Sequence, residues 1–208
     1  MNRCVIFGGI DMTDDSRIRA ALRPDDFILC CDSGLRYAER LHLRPALIVG
    51  DFDSHAKPET ETEMIVLPRE KDDTDTVYAA REAVRRGFED FLLIGVTGRR
   101  FDHTFGNVSL LLWLDRMGKK ARILDDYSEM EMVSRTPVEI SGDYPYFSLL
   151  NISGTARGIT IRGAKYPLNN AEIPSDYQYG ISNEVLPGQT ASVTVQEGCL
   201  LLVKVFAG

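Results

Sequence analysis

The chain has 208 residues, 44% of them hydrophobic and 26% charged, a balance that argues against disorder and allows one large domain or two modest ones. A net charge of −7 gives nucleic acid no bulk electrostatic attraction to this chain. No apolar run approaches the roughly 20 residues needed to span a bilayer, and the opening M-N-R-C-V-I-F-G-G reads as a strand and a glycine turn rather than a signal peptide.

In chain order, short apolar runs at Cys4–Phe7, Phe27–Cys31, Ala46–Val49, Met64–Leu67, Phe91–Ile94 and Ala121–Leu124 each fit a buried strand. Segments with helical spacing lie between them: Val77, Ala80 and Val84 recur at i, i+3 and i+7, as do Phe105, Val108 and Leu112. Gly87 and Gly118 stand where those two helices should stop. This alternation predicts an α/β domain, a mostly parallel sheet with helices on both faces, over residues 1–127.

From residue 128 onward no helical pattern persists. Glu131–Ser134, Val138–Ile140, Phe147–Ile152, Gly158–Ile161, Ser192–Val195 and Leu200–Phe206 read as closely spaced strands, which predicts a small all-β antiparallel sandwich over residues 128–208. Lys165–Gly188, with three prolines and three asparagines, reads as a long ordered loop. The four cysteines, Cys4, Cys30, Cys31 and Cys199, form no C-x-x-C pair, so zinc has no support. Buried free thiols in a reducing compartment are expected, and with them a soluble, cytoplasmic protein.

Acidic residues gather at the C-terminal ends of the predicted strands, where open α/β sheets bind ligands. Asp32 follows the second strand. Asp51 and Asp53 follow the third, in Gly50-Asp51-Phe52-Asp53-Ser54, and Asp72, Asp73 and Asp75 follow the fourth, in Lys71-Asp72-Asp73-Thr74-Asp75. If neighbouring parallel strands bring these loops together, the carboxylates repel unless a cation lies between them, and oxygen-only ligands favour Mg²⁺. Capping is the alternative for Asp32 and for the Asp72–Asp75 run, because acidic groups favour a helix N-terminus.

After the fifth strand comes Gly95-Val96-Thr97-Gly98-Arg99-Arg100-Phe101-Asp102-His103, leading into a helix. Such a glycine-rich loop and helix N-terminus suit a phosphate, and Arg99 and Arg100 offer forked donors. Asp102 and His103 could orient or deprotonate a hydroxyl, or be an N-cap and a surface residue. A Walker-type phosphate loop is absent. The residues alone therefore predict a Mg²⁺-dependent phosphoryl-transfer or phosphate-binding enzyme.

These runs, in this order, resemble the thiamine pyrophosphokinase family. The resemblance rests on Cys31-Asp32-Ser33-Gly34, Pro45 through Ser54, Lys71 through Asp75 and Gly95 through Asn107, and on Gly163-Ala164-Lys165-Tyr166-Pro167-Leu168 and Gly180-Ile181-Ser182-Asn183-Glu184 in the second half. It implies a homodimer with the active site between subunits, in which the α/β domain holds ATP and Mg²⁺ and the sandwich contributes to the thiamine pocket. By position it implies Asp51, Asp53, Asp75 and Asp72 as metal ligands. Asp32, Ser33, Gly34, Lys71, Asp72, Thr74, Thr97, Gly98, Arg99 and His103 would face ATP. Asp102, Asn107, Ser182 and Asn183 would face thiamine, with Asp102, Arg99 and Asp75 catalytic.

The implied reaction is attack of the thiamine hydroxyl on the β-phosphorus of ATP. The alternatives are a pterin-alcohol pyrophosphokinase on the same scaffold and a non-catalytic thiamine or nucleotide sensor. This chain departs from the family pattern in Ser33, where a second glycine is usual, and near Arg36, where a small or amide residue is commoner. The only tryptophan, Trp113, lies in the first half, so where family members stack a tryptophan on thiamine this chain would need a substitute, Tyr177 or Tyr179, unless both are simply exposed loop residues.

Overall fold

The computed structural model describes residues 3–52 and 59–207. The chain divides into two compact units, Met1–Asp125 and Asp126–Gly208.

The first unit, in its described residues, is built on six strands: β1 (Arg3–Phe7), β2 (Phe27–Cys31), β3 (Leu47–Gly50), β4 (Glu63–Val66), β5 (Asp90–Ile94) and β6 (Lys120–Leu124). They form a parallel sheet in the order β4-β3-β2-β1-β5-β6. Cys4 to Phe7, Leu47 to Val49 and Phe91 to Ile94 are all buried, which is why these strands read as unbroken apolar runs. Among the described residues, four α-helices connect them: α1 (Asp15–Ala21), α2 (Leu35–Leu41), α3 (Asp75–Arg85) and α4 (Phe101–Arg116). Strand order reverses after β4, so the right-handed rule for parallel crossovers sets α1 and α2 on one face and α3 and α4 on the other. Accordingly α3 packs on β1, β2 and β3 and touches α4.

The register aligns one edge of this sheet. Phe7 pairs with Cys30 and Ile94, Cys31 with Val49, and Gly50 with Val66, so the loops after β1, β2, β3 and β5 leave from the same side. The order also reverses at β1, with β2 on one side and β5 on the other. That is the topological switch point, where crevices open in sheets of this type.

The second unit is all β. One antiparallel sheet joins β7 (Ser128–Val133), β14 (Leu200–Val205) and β9 (Tyr146–Leu150). The other runs β11 (Leu168–Glu172), β10 (Ala156–Arg162), β12 (Ala191–Thr194) and β8 (Val138–Ile140), with β13 (Glu197–Gly198) paired to β10. Val133, Phe147, Leu149, Leu200 and Leu202 from the first sheet share a core with Ile140, Ile159, Ile161 and Val193 from the second, as a sandwich requires.

Strand β11 corrects the expectation of a loop throughout Lys165–Gly188. It is an edge strand with irregular register to β10, so its Leu-Asn-Asn-Ala-Glu sequence lacks the alternating apolar face of a central strand. Among the described residues, no helix is long and apolar enough to cross a membrane. Cys4, Cys30, Cys31 and Cys199 are free and buried, as expected.

Candidate active site

Asp32, Asp51 and Asp75 meet at the sheet edge. One carboxylate oxygen from each lies within 4.8 Å of the other two. Three different local structures deliver them. Asp32 opens a 3-10 turn directly after β2 and sits at φ 20°. Asp51 follows Gly50 at the end of β3, and Asp75 is the first residue of α3.

Thr74 is the N-cap of α3, its hydroxyl accepting from Val77 N–H at 3.4 Å, so capping in this run belongs to the threonine and leaves the Asp75 carboxylate to the cluster. Asp72 is exposed and outside the cluster, while Asp73 pairs with Arg81. Asp53 lies outside the described residues.

The Lys71 ammonium lies between two of the three carboxylates, bonded to Asp51 and 3.1 Å from Asp75. Burial alone would lower its pKa; Asp51 and Asp75 together outweigh that and raise it. The donor set is oxygen-only and already attracts a cation, which fits a hard divalent ion such as Mg²⁺ better than zinc.

The loop after β5 is tethered at several points. Asn107, a buried polar residue on α4, donates from Nδ2 to the Val96 carbonyl at 2.7 Å. The Thr97 hydroxyl donates to Asp125 at 2.9 Å, and Gly98 N–H donates to the Thr104 hydroxyl at 2.9 Å. The side chains of Asn107, Thr97 and Thr104 thus fix the loop that leads into the N-terminus of α4.

Arg99 follows at φ 50°, exposed, and His103 is exposed on the first turn. Asp102 is not the N-cap; that position is Arg100, which caps nothing with its side chain but pairs with Asp102. This partner, assisted by the His103 backbone N–H, brings the Asp102 carboxyl down to about 2.

The loop after β1 was legible as a glycine turn but not as part of the site. Gly8 N–H donates to Ile94 O at 2.8 Å and Ile10 N–H to Gly95 O at 2.9 Å, so this loop runs beside the β5 loop across the switch point. The Ser33 hydroxyl sits where a side chain on Gly9 would be, and Gly34 is buried in its turn. The signal was Gly-Gly directly after the first strand.

Ser182 and Asn183 belong to the second unit. Ser182, at φ 59°, donates its N–H to the Ser148 hydroxyl at 3.1 Å. Asn183 is buried and acts as a clasp. Its Oδ1 accepts from Tyr166 N–H at 3.0 Å and Glu184 N–H at 2.9 Å, and its Nδ2 donates to Tyr166 O at 2.9 Å. Its backbone bonds Phe147 in both directions, which anchors the 180–184 run to β9. Tyr177 and Tyr179 are exposed, their ring centroids 5.6 Å apart.

Comparison with known proteins agrees with this layout. Residues 18–123 match the family model "Thiamin pyrophosphokinase, catalytic domain", and residues 135–200 match "Thiamin pyrophosphokinase, vitamin B1 binding domain". The chain is 29% identical over 168 residues to the thiamine pyrophosphokinase of Bacillus subtilis (strain 168), covering 77% of this chain and 78% of that protein. Among solved structures, the thiamin pyrophosphokinase of Geobacillus thermodenitrificans superposes with a TM-score of 0.84 at 27% identity, over 100% of this chain and 99% of that one. That of Bacillus subtilis gives 0.88 at 22% identity over the whole of both chains, a likeness of fold. The chain belongs to the thiamin pyrophosphokinase family.

Proposed function

We propose that this protein transfers the diphosphate of ATP to the hydroxyl of thiamine, giving thiamine diphosphate and AMP. The observation that carries the reading is the convergence of Asp32, Asp51 and Asp75 at the same sheet edge from which a tethered, glycine-rich loop leads into the N-terminus of α4.

In the proposed reaction the hydroxyl oxygen bonds to the β-phosphorus as the bond from that phosphorus to the α,β-bridging oxygen breaks, and AMP leaves with the bridging oxygen. Asp32, Asp51 and Asp75 would hold Mg²⁺, which when bound offsets charge on the phosphate oxygens. Lys71 lies close enough to that cluster to turn its ammonium toward the same phosphates. Arg99 and the first N–H groups of α4 would bind the equatorial oxygens of the transferred group. Asp102, ionised throughout the neutral range, would orient the hydroxyl through a hydrogen bond; with so low a pKa it is a weak base, and the proton passes to solvent or to product.

On the second unit Ser182 would contact thiamine, with Asn183 holding its loop. Exposed apolar side chains, Phe101 and Phe105 on α4 and Tyr166, Tyr177 and Ile181 in the second unit, support the reading of a homodimer. Four free buried thiols support a cytoplasmic location.

The test is to incubate purified protein with ATP, Mg²⁺ and thiamine and separate the products by HPLC with mass detection. Thiamine diphosphate and AMP in equal amounts are expected. ADP with thiamine monophosphate would overturn attack at the β-phosphorus, and thiamine bound without turnover would make the protein a sensor.

A further inference from the structure

The first βα loop is held from two directions. On one side it runs along the β5 loop, through Ile10 N–H to Gly95 O at 2.9 Å. On the other, α2 grips it at two carbonyls: Arg36 Nη2 donates to Gly9 O at 3.0 Å, and Arg40 Nη2 to Met12 O at 3.1 Å.

Tyr37 stands at the centre of this arrangement, only 2% exposed, its ring stacked on Phe7. Its hydroxyl accepts from Met12 N–H at 2.8 Å and donates to Ile10 O. One phenol oxygen therefore satisfies two backbone groups of the loop that have no strand partner, and Met12 is itself buried. The same hydroxyl reaches the β5 loop. A methyl group on Gly95 would lie 2.6 Å from it and 2.5 Å from Ile10 O, and Gly95 sits at φ 66°, so only glycine lets the three segments close together. The Arg40 guanidinium lies over the Tyr37 ring, 4.9 Å from its centroid.

We infer that Tyr37 is a positioning residue for nucleotide binding: its hydroxyl sets the spacing between the Gly8–Met12 loop and the Gly95–Gly98 loop at the switch point, so that their backbone groups meet the phosphates of ATP. The inference rests on the reading of ATP as the diphosphate donor.

The experiment measures binding of N-methylanthraniloyl-ATP by fluorescence, with Mg²⁺ present, and in parallel the KM for thiamine. Tyr37→Phe keeps the ring and its stacking but leaves Met12 N–H and Ile10 O without their partner; nucleotide Kd should rise about 10-fold while the thiamine KM stays within about 2-fold. Gly95→Ala should weaken nucleotide binding by a similar factor. Because both changes act on the same contact, the double variant should bind less weakly than the product of the two single effects. Arg40→Met, a change at a half-exposed side chain, should raise Kd by about 3-fold through the same loop even if a core variant fails to fold.

A Tyr37→Phe protein that melts earlier yet binds nucleotide like the wild type would overturn the inference, as would parallel rises in the nucleotide Kd and thiamine KM or full additivity with Gly95→Ala. If the wild type binds the nucleotide but does not turn over thiamine, the reaction assignment falls while the Tyr37 effect on nucleotide affinity is still measured. A wild type that binds no nucleotide overturns both.

Discussion

Lys71 and Asp75 are one helical turn apart in sequence, and the ammonium of the first stands 3.1 Å from the carboxylate of the second while also bonding Asp51. An internal cation therefore lies within a cluster expected to receive a divalent one. Lys71→Met should leave the carboxylates repelling one another, lowering the metal-free Tm by about 3–6 °C for a partly buried pair in a chain of this size. Saturating Mg²⁺ should narrow that deficit, because the ion then supplies the missing charge. Thermal melts in EDTA and in Mg²⁺ check this; an identical deficit in both would mean that Lys71 stabilises the chain independently of the cluster.

The geometry separates acids that the sequence ran together. Asp32→Asn and Asp51→Asn should each lower kcat by about 100-fold or more with little change in melting temperature, as expected when a ligand to a catalytic ion is neutralised. Asp72→Asn, at an exposed position outside the cluster, should stay within about 3-fold of the wild type. Steady-state kinetics at saturating Mg²⁺ would reverse this ordering if Asp72 rather than Asp32 holds the metal.

Much of this was legible because parallel strands buried on both faces leave unbroken apolar runs, and because glycines and acids directly after such runs fall at one sheet edge. What periodicity does not encode is the direction of a side chain in a turn. Asp72, Asp73 and Asp75 are chemically equivalent in sequence, and only the N-cap at Thr74 turns Asp75 into the cluster and leaves Asp72 outside. Asn107 carried a usable signal: an amide one residue before Val108 on the buried face of α4 must find a partner, and it finds Val96 O. Strand β11 carried almost none, since an Asn-rich edge strand with irregular pairing has no alternating face to read.

Ser182 and Asn183 are adjacent but should respond differently. Asn183→Ala removes a buried amide that satisfies three backbone groups and should destabilise the protein by about 2–3 kcal/mol. Ser182→Ala should alter stability by less than about 0.5 kcal/mol and raise the KM for thiamine more than that for ATP. Denaturant titration combined with kinetics distinguishes the two; a Ser182→Ala protein with equal KM changes for both substrates would remove that loop from the thiamine side.

Glu82 on α3 is gripped by Arg85 and Arg86, with Arg86 reaching across to Glu63 at the edge of the sheet. The Arg85 bonds, then those of Arg86, outweigh burial and hold its carboxyl at about 2 instead of 4.5. A depressed carboxylate contributes its stability above the unfolded pKa and loses it as pH falls through the folded one, here between about 4.5 and 2. Because Arg85 is largely exposed, the contribution is about 1–2 kcal/mol. Glu82→Gln should be less stable than the wild type at pH 7 by that amount, and the gap should close toward pH 2. A constant gap across that range would detach Glu82 from the acid response.

Asp102 is exposed on the first turn of α4 and held by Arg100, so its carboxyl, at about 2, is already ionised well below the neutral range. A general base that limits the rate would place an inflection in kcat/KM near its own pKa. No inflection from Asp102 is therefore expected between pH 5 and 9, a window chosen about three units above its pKa. Asp102→Asn should lower kcat by a factor that does not change with pH across that range, since what it removes is a fixed charge and an acceptor that orients the hydroxyl. Arg100→Met should act in the opposite sense on the carboxyl, releasing it toward the ordinary aspartate value of 3.8 without moving the profile above pH 5. Were Asp102→Asn instead to abolish an inflection near neutrality, the group would be titrating in the working range, and positioning would give way to general-base catalysis at this residue.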